Sequence, residues 1–472
     1  MTLNSSTDAR SLGLKIILVG ALAFLMWIPA MLVYALVWDR STRADQVTTE
    51  IVERAGGRQV ISGPVILVPA KIDTGRENKE GEPIIRSVMV GFTPKSLEID
   101  ADIKTAKRQR SIYEASVYDA DIQMKGRFGL LTPPKAEGPV TLDWNEARIA
   151  IKFASPAHLK GLRDTIQLAI NDLPAKADFE PGVDATGTIN GEQNTQPTTA
   201  GVSAPISRPN LQAGFEFNLT LPLSGGGALY FAPVGEETIV RANADWPDPG
   251  FQGAYLPDQR QITKDGFTAE WRIPYLARAI PRSFFTNDSL SILDGGYYDP
   301  NSAHSAGGKT FGVEFVAAQS PYKSVNRALK YALMFLGIVF LTFFLFEATM
   351  GGRAHAAQYI LLGATQVVFY LLVLAFSEHI GFDPAFLLTA GATVSLSGYY
   401  AATVFRSKKQ GIIAFAAFSG AYGLIYLLMK SEDYALLIGS VTAFGAIALT
   451  MFVTRHLDWY GVRKPKAETS AV

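Results

Sequence analysis

The chain has 472 residues, of which 48% are hydrophobic and 18% are charged, and its 43 basic and 43 acidic side chains cancel. An average soluble domain carries about 25% charged residues, so this composition indicates membrane segments rather than a purely soluble enzyme. The zero net charge excludes a general attraction to nucleic acid. Because the chain has no cysteine, disulfides, thiolate nucleophiles and cysteine zinc sites are excluded as well.

Residues 1–14 are predicted to form a cytoplasmic tail, and residues 15–38 to form the first membrane helix. A helix needs about 20 apolar residues to cross the hydrocarbon core. The run also exceeds the about 7–15 residues of a signal-peptide core, and no small-residue cleavage site follows it. The segment therefore predicts an uncleaved transmembrane anchor.

Residues 39–327 predict a large, mainly antiparallel, sandwich-like β domain. Hydrophobic and polar side chains alternate in the segments 97–103, 146–153, 215–221 and 267–275. This period of two is typical of strands that bury one face and expose the other. The segment 183–210 is rich in Gly, Thr, Ser, Asn and Pro, and it predicts a flexible loop.

One stretch of this domain, residues 229–257, carries a candidate surface motif. The motif consists of Glu236, Trp246, Asp248 and Phe251. Adjacent strand residues point to opposite faces, so Glu236 and Glu237 are not expected to act as an acid–base pair. Pro247 and Pro249 end the strand that precedes them. Two interpretations stay open, a structural corner of the sheet, which is the simpler one, and a binding surface for a partner.

Residues 328–454 predict a bundle of five further membrane helices, followed by a cytoplasmic tail at 455–472. The predicted spans are 331–350, 356–376, 385–404, 411–429 and 434–453. Each is too apolar on all faces for a helix at the surface of a soluble protein. With the anchor, the chain is predicted to cross the membrane six times.

Charged residues in the short connections predict the orientation of these spans. Ten basic residues fall on one side, at positions 10, 15, 353, 406, 408, 409, 455, 463, 464 and 466, whereas the opposite short loops contain only Lys430. Short loops rich in Lys and Arg stay in the cytoplasm. The pattern predicts a bacterial inner-membrane protein with both termini inside and the β domain in the periplasm.

Ionisable residues near the ends of the predicted spans are candidates for function. They are Glu347, Arg353 and His355 at the inner end of the second span, and Glu378 and His379 at the outer end of the third. A charge at the bilayer centre costs about 2.5–3.5 kcal/mol on insertion scales, and less near the interface. These residues are therefore predicted either to anchor the helices or to handle ions, protons or a partner.

Several segments carry a resemblance to a known family. They include GGRQVISGPVILVPA at 56–70, DQRQITKDGFTAEWRIPYLAR at 258–278 and the membrane segments at 311–348 and 353–382. Through them the chain resembles the CreD family of bacterial inner-membrane proteins over nearly its whole length. The resemblance implies a role in cell-envelope integrity and stress tolerance, and it supplies no catalytic residues.

Three hypotheses about function follow. The first is a non-enzymatic membrane protein without cofactor or metal, which contacts membrane lipids and binds an envelope protein, lipid or glycan through its β domain. The second is a transporter or lipid-handling protein that uses Glu347, Gln358, Gln366 or Glu378 in the C-terminal bundle. The third, a periplasmic enzyme, would need a cleft with clustered acids and shifted pKa values. The sequence leaves the oligomeric state open.

Overall fold

The computed structural model describes residues 7–77, 81, 83–175, 177–183, 187–189, 192–194, 198–206, 211–278, 280–286, 309–315, 321–350, 354–430 and 434–455. The chain divides into two compact units. A helical unit contains Met1–Asp45 and Ala318–Val472, and a β unit contains Gln46–Ala317.

Nine α-helices lie in the described residues. They are α1 (Thr7–Leu25), α2 (Trp27–Arg54), α3 (Tyr275–Arg278), α4 (Pro321–Lys330), α5 (Ala332–Met350), α6 (Ala356–Ile380), α7 (Phe382–Val404), α8 (Lys408–Lys430) and α9 (Ala435–Thr454). The helix α3 belongs to the β unit. Many large apolar side chains of α1, α2 and α9 are exposed, among them Leu32, Leu436 and Phe444. Such exposure is expected of helices that face lipid.

Four helical segments in the described part of the chain are long and apolar enough to cross a membrane. They are Ile16–Arg54, Ala356–Ile380, Lys408–Lys430 and Leu436–Thr454, and α4 with α5 adds a fifth if the two helices, which meet at 55°, are one broken span. The prediction of membrane helices is thus confirmed, although six spans are not recovered. The predicted span 385–404 coincides with α7, a helix of 23 residues that is not among these segments.

The β unit contains twenty described strands. They are β1 (Gln59–Glu77), β2 (Pro83–Phe92), β3 (Ser96–Arg110), β4 (Tyr113–Phe128), β5 (Val140–Leu142), β6 (Arg148–Phe153), β7 (Gln167–Ile170), β8 (Leu173–Ala175), β9 (Glu180–Val183), β10 (Gly187–Ile189), β11 (Glu192–Asn194), β12 (Thr198–Pro205), β13 (Phe215–Gly226), β14 (Ala228–Phe231), β15 (Glu237–Ala244), β16 (Pro249–Gly253), β17 (Gln259–Ile262), β18 (Phe267–Ile273), β19 (Ser283–Phe285) and β20 (Phe311–Phe315).

These strands form two sheets. The eight-stranded sheet has the order β17-β18-β15-β3-β4-β13-β7-β8. The twelve-stranded sheet follows β11-β10-β2-β1-β14-β20-β16, with β5, β6, β9, β12 and β19 paired beside this path. The pairs β1–β14 and β3–β15 are parallel, and the other described pairs are antiparallel.

One hydrophobic core joins the buried faces of both sheets. Ile66 and Val68 of the twelve-stranded sheet and Ile122 of the eight-stranded sheet belong to the same cluster. The predicted alternation holds, because Phe217 and Trp271 are buried while their polar neighbours point outward. Burying each such large side chain contributes about 1.5–3 kcal/mol. The prediction of a sandwich-like β domain is confirmed.

The predicted loop 183–210 contains three strands, β10, β11 and β12, that the composition did not reveal. Strand β12 pairs antiparallel with β6 and β9, and it places Val202 opposite Ile151. Gly201 allows this close approach, since a Cβ there would lie 2.5 Å from Cγ2 of Val183. The loop prediction is therefore wrong for β10, β11 and β12. Residues 184–186, 190–191, 195–197 and 207–210 lie outside the described residues.

Candidate functional site

The aromatic members of the predicted surface motif pack within the β unit. The side chain of Trp246 is buried, with 7% of its surface exposed, and its Nε1 donates a hydrogen bond of 3.2 Å to the carbonyl of Asp248. The half-buried ring of Phe251 meets the ring of Trp271 edge-on at 5.7 Å. Both side chains stabilise the corner of the sheet, and the expectation of a surface group does not hold for Trp246.

The acidic members of that motif lie apart from a common site. Glu236 forms an ion pair of 3.1 Å with Arg282. The side chain of Asp248 is exposed, as is that of Glu237. The structure therefore places the motif as a structural corner with acidic residues at its rim.

A polar groove lies on the exposed face of the eight-stranded sheet. Its volume is about 890 Å³. Its lining residues with polar side chains are Asp100, Asp102, Asp121, Gln123, Arg241, Asn243, Gln259, Arg260, Gln261, Thr268 and Glu270. They come from β3, β4, β15, β17 and β18, whose alternating residues point away from the core. A single sequence gives no signal for this groove, because it forms only when these strands pair.

Arg241 organises the charges in the middle of the groove. Its guanidinium lies 3.1 Å from Glu270, 3.3 Å from Asp100 and 3.4 Å from Glu98. The hydrogen bonds that Arg241 donates to Asp100 and Glu270 raise its pKa above the ordinary value. Beside it, Nδ2 of Asn243 donates to Asp102 over 3.0 Å. These contacts fix the side chains at the floor of the groove in place.

Other groups in the groove are available to a ligand. The side-chain amides of Gln123, Gln259 and Gln261 have no hydrogen-bond partner within the part of the chain that the structure describes. A second concavity of about 530 Å³ shares Asp102, Asn243, Gln261 and Thr268 with the groove and extends it. The described residues contain no group of His, Asp and Glu side chains that could hold a metal ion. The groove thus offers side chains that can form hydrogen bonds to a ligand.

In the helical unit, Glu347 fixes the connection between α5 and α6. Its carboxylate is buried, with 6% of the residue exposed, and it accepts hydrogen bonds from the Tyr359 hydroxyl at 3.0 Å and the Ala354 N–H at 3.1 Å. His355 caps α6, since its Nδ1 accepts a hydrogen bond from the Ala357 N–H at 3.2 Å. The amide oxygen of Gln358 completes this cap. Arg353 lies outside the described residues.

At the other end of α6, Glu378 connects three helices. It accepts a hydrogen bond of 2.9 Å from the Tyr322 hydroxyl of α4, and it lies 3.7 Å from the Arg40 guanidinium of α2. His379 is exposed. Roughly 28 Å of helix separates Tyr359 from Glu378 at 1.5 Å per residue. The two glutamates therefore do not line one cavity.

The interior of the bundle contains a polar cluster between these two ends. The Tyr422 hydroxyl of α8 donates a hydrogen bond of 2.5 Å to the amide oxygen of Gln366 on α6. This contact joins the two helices. The hydroxyls of Tyr370 and Ser397 are buried and have no partner among the described residues. Only Gln366 was recognisable in the sequence as part of this cluster.

Two cations of the β unit are buried. Lys152 on β6 is 3% exposed, and burial lowers its pKa to about 8. Arg278 is fully buried, and it donates hydrogen bonds to the Thr93 hydroxyl and the Val234 carbonyl. Burial lowers the pKa of Arg278 as well. Neither residue lines the groove, so these shifted groups do not combine with its acids into one site.

Comparison with known proteins places the chain in a family. The family model described as inner membrane protein CreD matches residues 11–460. The inner membrane protein CreD of Escherichia coli (strain K12) is 28% identical over 462 residues, an alignment that covers 96% of this chain and 94% of the relative. The chain belongs to the CreD family of inner membrane proteins.

Proposed function

We propose that this chain is a non-enzymatic inner-membrane protein that supports envelope integrity and stress tolerance by binding an envelope component in its β unit. In this proposal the chain crosses the membrane six times, with both termini in the cytoplasm and the β unit in the periplasm. The groove on the eight-stranded sheet carries the proposal, because its volume is about 890 Å³ and it contains side-chain amides that have no hydrogen-bond partner among the described residues. Its hydrogen-bonding side chains suit a glycan or a polar peptide.

The packing of α7 supports a sixth span. With 23 residues, α7 is about 34 Å long, which is enough to cross the hydrocarbon core. It packs against both α6 and α8. The hydroxyls of Thr389 and Thr393 are buried and donate to carbonyls of their own helix. The two threonines make α7 less apolar, but their hydroxyls are buried and hydrogen-bonded, so neither is exposed unpaired to lipid.

Cysteine accessibility tests this topology directly, since the natural chain has no cysteine. Single cysteines are introduced as Asp265→Cys, His379→Cys and Lys408→Cys, at positions that are exposed in the structure. A membrane-impermeant maleimide should label the first two in intact cells and the third only after lysis. Labelling of Lys408→Cys in intact cells, or protection of Asp265→Cys, would contradict the proposed arrangement.

Photo-crosslinking tests the groove. A photoreactive amino acid replaces Gln261 in the groove or, as a matched control, Gln252 on β16 of the other sheet. The groove position should yield a reproducible adduct that contains a defined peptide or glycan, and the control should not. The variant Gln259→Ala/Gln261→Ala should reproduce the envelope sensitivity of a deletion strain at normal protein levels. Wild-type tolerance in that variant would reject the groove as the functional site.

The polar cluster in the bundle favours a second candidate, a transporter or lipid-handling protein. Its support is that the hydroxyls of Tyr370 on α6 and Ser397 on α7 are buried and have no partner among the described residues. A polar solute or lipid headgroup could use them, because polar groups inside a membrane bundle often mark a path. Under this alternative, Tyr370→Phe should reproduce the deletion phenotype at normal protein levels. Under the groove proposal, it should leave envelope tolerance unchanged.

A further inference from the structure

Helix α4 presents a row of cations on one face. Lys323, Arg327 and Lys330 occupy positions i, i+4 and i+7, which lie on one side of a helix. Lys323 and Lys330 are exposed, and neither forms an ion pair with any described residue. The opposite face, which includes Val325 and Ala328, is buried. The helix is therefore amphipathic, with an available basic side.

Helix α4 lies across the ends of two membrane helices. At its first turn, the Tyr322 hydroxyl donates to Glu378 in the last turn of α6. In its second half, the Arg327 guanidinium donates to the Met429 carbonyl over 3.3 Å, next to the end of α8. After α4 the chain bends by 55° into α5. The basic face thus sits where α6 and α8 leave the membrane.

Two exposed aromatic residues indicate that the end of the bundle near α4 lies at the level of the lipid headgroups. Trp38 and Tyr434 each have 65% of their surface exposed. Trp38 lies two residues before Arg40, which contacts Glu378, and Tyr434 precedes α9. Trp and Tyr are enriched where hydrocarbon meets water. Tyr322 of α4 and Arg40 next to this tryptophan both contact Glu378. Helix α4 therefore lies at the depth of the headgroups.

Two anions of this boundary have partners among the described residues. Glu378 contacts Arg40 and Tyr322, and Asp383 forms an ion pair of 2.8 Å with Lys430. Neither carboxylate therefore pairs with Lys323 or Lys330. One turn beyond Lys330, the exposed side chain of Leu333 begins the apolar surface of α5. A cation above an apolar surface is complementary to a phosphate that carries acyl chains.

We propose that the basic face of α4 binds the headgroup phosphate of an anionic phospholipid. The lysine ammonium groups would donate charge-assisted hydrogen bonds to the phosphate oxygens, and the acyl chains would lie along α5 and α9. The inference goes beyond the proposed function, because it uses the helical unit and none of the groove residues. It also holds for either orientation of the chain in the membrane.

Lipid titration of the full-length protein in detergent, followed by native mass spectrometry, tests this site. The probe is phosphatidylglycerol, with phosphatidylcholine of the same acyl chains for comparison. Lys323→Gln/Lys330→Gln should weaken the apparent affinity for phosphatidylglycerol about 9- to 25-fold, since each basic group near an anionic surface contributes roughly a three- to fivefold factor. Binding of phosphatidylcholine should not change.

Two further variants control for folding and for total charge. Lys323→Arg/Lys330→Arg should keep the wild-type affinity, because it retains the cations. Lys125→Gln/Lys264→Gln removes the same charge from exposed positions of the β unit and should also behave as the wild type. Millimolar inorganic phosphate should compete poorly, because it lacks acyl chains. Unchanged phosphatidylglycerol binding in Lys323→Gln/Lys330→Gln, equal loss in the β-unit control, or full displacement by phosphate would each overturn the proposal.

Discussion

The hydroxyl of Tyr422 donates a hydrogen bond of 2.5 Å to the amide oxygen of Gln366, and it joins α8 to α6 inside the helical unit. Both side chains are buried. The rings of Phe335 and Phe369 meet Tyr422 edge-on at 4.8 Å and 4.7 Å. One polar contact is thus enclosed by aromatic packing, so that water is not available to replace it.

Removal of this contact should destabilise the bundle. Tyr422→Phe should cost about 1 kcal/mol, because Gln366 loses a buried partner, and measured hydrogen bonds between membrane helices average about 0.6 kcal/mol with a maximum near 1.7. Gln366→Leu should cost a similar amount. The double variant should cost less than the sum of the two, since the second change removes an already orphaned group. Thermal unfolding in detergent measures these differences.

Tyr399→Phe is the matched control for that series. Tyr399 lies on α7 with its side chain largely exposed, so the loss of its hydroxyl should leave the melting temperature unchanged. Additive effects in the double variant would show that Gln366 and Tyr422 act independently, contrary to the structure.

The contact between α7 and α8 depends on the absence of a side chain at Gly411. A Cβ at this position would lie 2.5 Å from Cβ of Ala402 and 3.1 Å from the carbonyl oxygen of Gly398. Gly411→Ala should therefore push the helices apart and lower the melting temperature. Gly423→Ala on the same helix meets no atom within 4 Å, and it should be neutral or stabilise the helix by up to about 1 kcal/mol. Equal effects of the two substitutions would contradict this packing.

The sequence predicted those features that depend on local periodicity. Alternation of apolar and polar residues located β13 and β18, because each strand buries one face against the core. Long apolar runs located the membrane helices, because all faces of such a helix contact either lipid or a neighbouring helix. Strand β12 was not predicted from the sequence. Its small residues, among them Gly201, allow a close approach to β6, but they have the composition of a loop.

Contacts between residues far apart in the chain could not be predicted. The sequence showed that Glu378 stands near the end of a span, but not that Arg40 and Tyr322 meet it. The groove has the same origin, since Arg241 and Glu98 become neighbours only when β15 pairs with β3. Trp246 looked available for binding, because its strand pattern shows which face it occupies but not what covers that face.

Substitutions at Glu347 can separate the structural role of its carboxylate from a role of its negative charge. Glu347→Gln keeps an acceptor for the Tyr359 hydroxyl, so it should retain most of the stability, whereas Glu347→Leu removes the acceptor and should cost about 1–3 kcal/mol. Thermal unfolding measures both. Tyr359→Phe in the Leu variant should recover part of the loss, because it removes the orphaned hydroxyl. If Glu347→Gln abolishes envelope tolerance while it leaves the melting temperature unchanged, the charge itself is needed, which favours the transport hypothesis.

Lys152 should make the stability of the protein depend on alkaline pH. Burial lowers its pKa to about 8 in the folded state, against an ordinary value of 10.5. Between these values the unfolded state binds more protons, so the free energy of unfolding should rise with pH from about 8 to about 10.5 through this group. The penalty of burying the ammonium is fully present below pH 8.

Replacement of this lysine isolates its contribution from other groups that titrate in the same range. Lys152→Met removes the titrating group, so the stability of the wild type relative to this variant should increase steadily between pH 8 and 10.5 and stay constant below pH 7. Denaturant unfolding followed by tryptophan fluorescence measures the difference at each pH. Lys125→Met, at an exposed position of β4, should show a constant difference across the range. A flat difference for Lys152→Met would mean that the folded protein holds this lysine at an ordinary pKa, in contact with water.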